Sequence, residues 1–332
     1  MKKFLVIQTA SIGDVVLATS VLEELRYNYP TEKIDILIKK GNESLFVQHP
    51  FIDKIYVWDK KSNKYSNLIK LIRDLRKIEY EFVININRFF SSGLITALSN
   101  SDQKIGFKKN PFSAFFDQKF DHIIDKDNFT HEIDRNYTLI EDICEDDDSD
   151  VSPPKLYPPQ SSIDNVKQYK GGTYYTISPS SLWFTKQFHT EGWIEFLKQI
   201  PQEASIYLLG SPSDIGLCEE IKTTINHPKC QNLGGKLSFL ESTSLMKDAK
   251  MNFTNDSAPL HFCSSINAPI TAIFCSTVAE FGFTPLSDNS IIVQTKEILS
   301  CRPCGLHGYN KCPKKHFKCS RTIDIKELID RL

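Results

Sequence analysis

The sequence predicts an α/β protein built as two parallel-sheet halves, and three observations carry that prediction. Short runs of β-forming residues alternate with helical periodicities twice over, once from Lys3 to Ile143 and again from Tyr174 onward. An acidic run, Glu145 to Asp148, followed by the proline-rich Val151-Ser-Pro-Pro-Lys-Leu-Tyr-Pro-Pro159, separates the two patterns with the composition of a linker. At 332 residues the chain is long enough for two domains, each with its own core. The first domain is expected over 1–150 and the second over 151–320, with a final amphipathic helix over 321–332.

Composition narrows the function classes. A hydrophobic fraction of 40% beside 24% charged residues is that of a soluble globular protein. No apolar run approaches the ~18 residues of a membrane span, and Met1-Lys-Lys-Phe-Leu-Val-Ile-Gln8 turns polar too soon for a signal peptide, so a cytoplasmic location is expected. A net charge of -1 supplies no general attraction to nucleic acid. Nine cysteines without a signal sequence are expected to be reduced, buried or metal-bound.

In the first half, Lys3 to Thr9 reads as a strand, and Val15 to Tyr27 as a helix with apolar residues at Val15, Val16, Ala18, Leu22 and Leu25. Between them, Ser11-Ile-Gly13-Asp14 forms a tight turn in which Gly13 allows close backbone approach and Asp14 stands near the helix start, as a helix cap or as a functional carboxylate. The Gly-x-Gly-x-x-Gly and Walker patterns are absent. Further strands are expected at Ile34 to Ile38, Lys54 to Val57 and Phe82 to Ile86, with a helix near Leu68 to Ile78. Ligands of such sheets sit at the carboxyl ends of the strands, which is where Asp14, Asn87 and Arg88 fall. Arg88 reads as an anion ligand or as a solvated surface arginine. The stretch Ile105-Gly-Phe-Lys-Lys-Asn-Pro-Phe-Ser-Ala-Phe-Phe116 reads as a lip facing an anionic lipid surface or an acceptor, or as core aromatics beneath a loop. A helix is expected over His131 to Ile143.

In the second half, a strand at Tyr174 to Ile177 leads into Ser178-Pro-Ser180-Ser181-Leu-Trp-Phe-Thr-Lys186, whose hydroxyls and ammonium suit a phosphate. Helices near Glu191 to Gln199, Asp214 to Thr224 and Phe239 to Asp248 flank a strand at Ser205 to Leu209. The stretch organising this half is Met251 to His261: a buried strand, then Asp256 as the cap of a helix with Pro259 in its first turn, running to Asn267-Ala-Pro269. Such a helix start suits a phosphate or diphosphate, and Lys186 is expected near Asp256 across neighbouring strand ends. Near the C-terminus, Cys301-Arg-Pro-Cys304 with Cys312 and Cys319 furnishes a tetrahedral thiolate site for structural zinc, or else free thiols or disulfides. Arg302, Lys311, Lys314, Lys315, Lys318 and Arg321 make that segment basic, suiting an anionic acceptor, lipid headgroups or merely solvent.

Taken in order, Ser11-Ile-Gly-Asp14, Trp183-Phe-Thr-Lys186, Asn255-Asp-Ser-Ala-Pro-Leu-His261 and the Cys301-x-x-Cys304 tail resemble the ADP-heptose:lipopolysaccharide heptosyltransferases, glycosyltransferase family 9. The resemblance covers nearly the whole chain. It implies a GT-B fold: two Rossmann-like domains facing across a cleft, with acceptor on the first, nucleotide sugar on the second, and the C-terminal helix packing back on the first. It further implies Asp14 as catalytic base, Lys186 as the diphosphate-contacting lysine, and Asp256, Ser257, Ala258 and His261 as the sugar-nucleotide loop. Ser180 and Ser181 would join the donor site, Asp214 would lie near the donor nucleoside, and Ser11, Gly13, Asn87 and Arg88 near the acceptor. One departure is that the family often has glycine at Ala258, whose methyl group narrows backbone approach to a phosphate.

The activity so implied is inverting transfer of a sugar, heptose from ADP-heptose, to a lipopolysaccharide core or related surface glycan acceptor, with peripheral contact at the cytoplasmic face of the inner membrane. With no Asp-x-Asp element at a plausible position, catalysis is expected to need no metal or other cofactor. A sugar-nucleotide epimerase of the same architecture, or a transferase with another nucleotide-sugar donor, is the alternative.

Overall fold

The computed structural model describes residues 3–125, 129–144 and 151–332. They form two compact units, the first running to residue 125 and from Thr130 to Tyr157, the second from Pro158 to Leu332. Among the described residues no helix is long and apolar enough to cross a membrane.

The first unit holds one six-stranded sheet: β1 (Lys3–Gln8), β2 (Lys33–Lys39), β3 (Ile52–Trp58), β4 (Tyr80–Asn85), β5 (Ser101–Phe107) and β6 (Gln118–Phe120), in spatial order β3-β2-β1-β4-β5-β6. Every pairing is parallel, β1 lying between β2 and β4 with Phe4 opposite Ile34 and Phe82. A central strand covered on both faces must be apolar on both, which is why Phe4-Leu5-Val6-Ile7 runs without alternation and is fully buried. Leu5, Ile7, Leu37, Trp58, Tyr80 and Val83 pack with Leu71, Leu75 and Ile95 from the covering helices.

The second unit repeats the plan with β7 (Tyr174–Ser178), β8 (Ser205–Leu208), β9 (Cys230–Asn232), β10 (Met251–Asn255), β11 (Ile270–Phe274) and β12 (Ser290–Gln294), ordered β12-β11-β10-β7-β8-β9 and wholly parallel. Numbered from its own first strand, this is the same 3-2-1-4-5-6 order. Each sheet therefore reverses direction of growth at one place, between β1 and β4 and between β7 and β10. That reversal leaves a crevice at the strands' carboxyl ends, where the connections diverge to opposite faces.

Several boundaries differ from expectation. The divide falls after Tyr157, because Val151 to Tyr157 is pinned to the helix Thr19–Asn28: the Ser152 N–H donates to Glu24 (2.6 Å), the Lys155 N–H to Thr19 Oγ1 (2.8 Å), and the Tyr157 hydroxyl to Glu23 (2.9 Å). The acidic run Glu145 to Asp148 lies outside the described residues. The helix expected over His131 to Ile143 ends at Tyr137 and gives way to a 3-10 turn at Glu141–Ile143. The C-terminal segment 321–332, expected on the first domain, is part of the second unit's core. There Ile323 and Leu328 are buried beside Tyr175 and Trp193, and the Tyr175 hydroxyl donates to the Leu332 carbonyl (3.2 Å).

Candidate functional site

In the first unit, β1 ends at Gln8 and the chain turns through Thr9 to Ser11 into a helix at Ile12–Leu17. Ser11 caps that helix. Asp14 Oδ2 accepts from the Ser11 N–H (2.9 Å) and the Ser11 hydroxyl (2.5 Å), so the carboxylate is held in one orientation. Among the described residues no hydrogen bond engages its Oδ1. Gly13 lies inside the helix, not in a tight turn before it, and what it contributes is a buried, side-chain-free first turn.

Across the crevice, Asn87 is 3% exposed and its side chain is committed to the fold: Oδ1 accepts from the Thr9 N–H (2.6 Å) and hydroxyl (3.1 Å), and Nδ2 donates to Gln8 Oε1. Asn87 thus ties the ends of β1 and β4 together, with one of its two amide N–H donors engaged by Gln8. Arg88, next to it, is half-buried and makes no hydrogen bond or ion pair among the described residues.

The structure adds two lysines that the sequence did not single out. Lys60 Nζ donates to the Thr9 carbonyl (2.7 Å) and lies over the Trp58 and Phe89 rings at 4.6 and 5.9 Å. Burial, and then the charges of Lys39 and Lys64, lower its pKa to about 8. Lys39 is also lowered by burial, an effect that the Asp14 carboxylate partly reverses. The aromatic stretch divides between core and surface. Phe107 and Phe116 are buried, whereas Phe115 is 64% exposed and Phe90 63%. The rings of Phe90, Phe112 and Phe115 run in sequence at 4.9 and 6.2 Å. Their mounting is the buried Asn110, which donates to the Asn87 and Phe89 carbonyls (2.9 and 3.2 Å) and accepts from the Phe112 N–H (2.9 Å).

In the second unit, Lys186 comes from the connection after β7 and Asp256 from the residue after β10, one from each side of the reversal. They meet: Lys186 Nζ lies 2.7 Å from Asp256 Oδ2, with the side chains 16% and 7% exposed. The Thr277 hydroxyl, just past β11, donates to the same carboxylate oxygen at 2.5 Å. Neighbouring Asn255 fixes the Lys186 loop from beneath, Oδ1 accepting from the Phe188 N–H (2.8 Å) and Nδ2 donating to the Pro179 and Ser180 carbonyls (2.8 and 3.4 Å). Gln187 Nε2 donates to the Ser181 carbonyl (2.7 Å). Ser180 and Ser181 thereby give their backbones to the loop, and both residues remain half-buried.

Asp256 is not the helix cap. Ser257 takes that position, in extended conformation, and the helix covers only Ala258–Ser264. The Ser257 side chain makes no capping hydrogen bond, and the aspartate turns to the lysine. Ala258 and Pro259 open the first turn, and His261 is 5% exposed, facing inward. Asp214 repeats the arrangement of Asp14: Oδ2 accepts from the Ser211 N–H (2.7 Å) and hydroxyl (2.6 Å), closing a capping box after β8.

Arg302 leaves the basic surface set. Its guanidinium is half-buried, donating to the carbonyls of Cys275 (2.7 Å), Phe274 (3.2 Å) and Thr277 (2.7 Å) and to Gln294 Oε1 (2.6 Å). It gathers the ends of β11 and β12 and so sets Thr277 against Asp256. The four cysteines Cys301, Cys304, Cys312 and Cys319 line one small cavity of about 200 Å³ together with His316 and Thr185. All nine cysteines are free. Among the described residues no group of three or more His, Cys, Asp or Glu side chains stands in position to hold a metal ion.

Comparison with known proteins places this arrangement. Lipopolysaccharide heptosyltransferase 3 of Escherichia coli is 26% identical over 294 residues, covering 84% of this chain and 85% of that protein. Among solved structures, E. coli ADP-heptose LPS heptosyltransferase II superposes with a TM-score of 0.80 at 19% identity, over 100% of this chain and 97% of its own. The family 9 glycosyltransferase of Veillonella parvula DSM 2008 superposes with a TM-score of 0.83 at 19% identity, over 99% and 96%. The fold is therefore that of the GT-B heptosyltransferase structures. The family model for glycosyltransferase family 9 (heptosyltransferase) matches residues 68–309, well over half of the sequence, and the chain belongs to that family of glycosyltransferases.

Proposed function

We propose that the protein moves a sugar, with inversion, from a nucleoside-diphosphate donor to a hydroxyl of a lipopolysaccharide-core or related surface glycan acceptor, ADP-heptose being the first donor to test. The observation that carries this reading is the Lys186–Asp256 pair at the reversal point of the second sheet, with an oriented Asp14 at the reversal point of the first. The relatives' names supply the sugar and the acceptor class.

In the reaction, the acceptor oxygen forms a bond to the anomeric carbon from one face. The bond to the diphosphate oxygen breaks on the other, its electron pair leaving with the diphosphate. Asp14 Oδ1 takes the hydroxyl proton while Oδ2 stays on Ser11. A carboxylate is a weak base, so that proton moves only as the attacking oxygen becomes acidic. Lys186 swings from Asp256 to the leaving diphosphate and neutralises the charge that grows there, which is the part a divalent cation plays in other transferases. Asp256 is then left to accept from a donor hydroxyl. Lys60 and Lys39 suit an anionic group on the acceptor, and the Phe90–Phe112–Phe115 row suits the surface of the membrane in which a lipid-linked acceptor sits.

The test pairs binding with turnover. Thermal shift against ADP, UDP and GDP is expected to select ADP; at ~100 times its Kd a ligand stabilises by about 2.7 kcal/mol. Asp14→Asn keeps an oxygen for Ser11 and so keeps the fold, while turnover in the presence of chelator should fall by about two to four orders of magnitude relative to the parent protein. Donor consumption without acceptor would replace transfer by epimerisation, and unchanged turnover would leave Asp14 as a helix cap alone.

A further inference from the structure

Residues 295–317 join β12 to the short helix Lys318–Arg321 without a helix or strand of their own. The charge of this stretch is one-sided. From Ile298 to Ile323 the chain places six lysines and arginines and not one of its 41 acidic residues, where an even spread would put about three. In a chain of net charge -1 that segregation makes a local basic patch. Arg302 turns inward to the carbonyls described above, and Lys318 and Arg321 have acidic neighbours, Glu297 at 3.9 Å and Glu191 at 3.5 Å. Lys311, Lys314 and Lys315 are exposed and have no ion-pair partner among the described residues.

The same stretch also holds apolar side chains in solvent. Leu306 is 43% exposed and Tyr309 47%, and Leu182, in the loop that carries Lys186, is 83% exposed. Loop and stretch are joined: the Thr185 N–H donates to the Tyr309 carbonyl (3.1 Å), the Tyr309 N–H donates to Thr185 Oγ1 (2.8 Å), and the Phe184 ring stacks on Phe317 at 4.9 Å. Thr185, Tyr309, Lys314 and His316 line one cavity, so the basic and apolar groups share one surface. The Cys304 N–H, donating to the Ser276 carbonyl (2.8 Å) just past β11, sets that surface at the carboxyl ends of the strands.

We infer that this surface of the second unit docks on an anionic phospholipid bilayer, with Lys311, Lys314 and Lys315 at the level of the phosphates and Leu182, Leu306 and Tyr309 entering the headgroup layer beside them. Charge complementarity selects an anionic partner, and the apolar groups select its kind. A soluble polyanion would engage the ammonium groups and leave the leucines and tyrosine wet, whereas a headgroup layer takes both. The surface is separate from the Phe90–Phe112–Phe115 row, which belongs to the first unit. Docking would bring the Lys186–Asp256 pair to the membrane, a consequence that rests on the donor reading above, whereas lipid binding itself does not.

The experiment measures partition of the full protein onto phosphatidylglycerol vesicles and onto phosphatidylcholine vesicles. The parent protein should bind the first and hardly the second. Each lysine near an anionic surface contributes a factor of about five, so the combined Lys311→Gln, Lys314→Gln, Lys315→Gln variant should bind about a hundredfold more weakly. A control with Lys198→Gln, Lys229→Gln and Lys247→Gln removes the same charge from exposed positions at the other end of the sheet and should bind like the parent. Leu182→Ser with Leu306→Ser should lose roughly tenfold. Repeating each variant in a Phe90→Ser, Phe115→Ser background removes the first unit's rings and should preserve these ratios, and circular dichroism melting checks that each variant is folded. Equal binding to the two lipids, or a lysine variant that binds like the parent or no more weakly than the control, would overturn the inference. Leucine variants that bind like the parent would overturn it in favour of a soluble polyanion, for which heparin is the probe. Vesicle binding without ADP binding would leave this surface standing and remove the donor reading, and ADP binding without vesicle binding would do the reverse.

Discussion

The Lys186–Asp256 pair makes a two-sided prediction, because in the proposed function one ion pair serves both the resting fold and the donor. At 2.7 Å the Coulomb attraction is about 6 kcal/mol at an effective dielectric constant of about 20, before desolvation is subtracted. Lys186→Met strands the Asp256 carboxylate, 7% exposed, with only the Thr277 hydroxyl, and should cost about 3 kcal/mol. For a unit of this size that is a fall in Tm of about 6–12 °C. Asp256→Asn should cost less, about 1 kcal/mol, because the longer lysine can turn its ammonium to water. The double variant should be no worse than Lys186→Met alone, giving a coupling of roughly 1–3 kcal/mol. Urea unfolding of the four proteins measures this cycle. Calorimetric titration with ADP then separates the roles: Lys186→Met should weaken binding by at least about tenfold, and Asp256→Asn should hold or tighten it by removing a competing anion. Additive stabilities together with normal ADP binding in Lys186→Met would refute both halves of the reasoning.

Two further outcomes follow from the first unit. Lys60 carries its charge below its lowered pKa of about 8 and loses it above, so the KM for an anionic acceptor should rise as pH passes through 8; Lys60→Met should have the raised KM at every pH and lose that inflection. Phe90→Ser with Phe115→Ser should reduce sedimentation with phosphatidylglycerol vesicles while leaving turnover of a water-soluble acceptor unchanged, and equal sedimentation would remove the lipid reading of these rings.

The architecture was legible because a sheet buried on both faces writes unbroken apolar runs, as at Phe4 to Ile7, and because each run is followed by a helical period. The approach of Lys186 to Asp256 was legible too, since parallel strands put successive loops at one end. What local sequence left open was competition between adjacent groups. Asp256 and Ser257 are both good caps, and only the lysine arriving from another loop decides between them. Asn87 looked wholly available, yet its amide oxygen is taken by the Thr9 N–H and hydroxyl. Lys60 in a pair of lysines reads as surface until Trp58 and Phe89 close around its stem. Thr277 carried no signal and Arg302 read only as one of a basic surface set: their importance comes from carbonyls at the ends of β11 and β12, and backbone acceptors are the same in every sequence.

The shared strand order has a consequence for how the site comes into being. The reversal in the second sheet requires β7 to pair with β10, Tyr175 lying opposite Met251. The whole stretch from residue 179 to 250, with two strands and their helices, must be looped out before that contact closes. Lys186 is synthesised long before Asp256 and has no counter-ion until the pairing is made. A chain stopped before residue 256 therefore holds the lysine without its partner. The Lys186–Asp256 pair is thus a property of the finished sheet, acquired in one late step and not accumulated piece by piece.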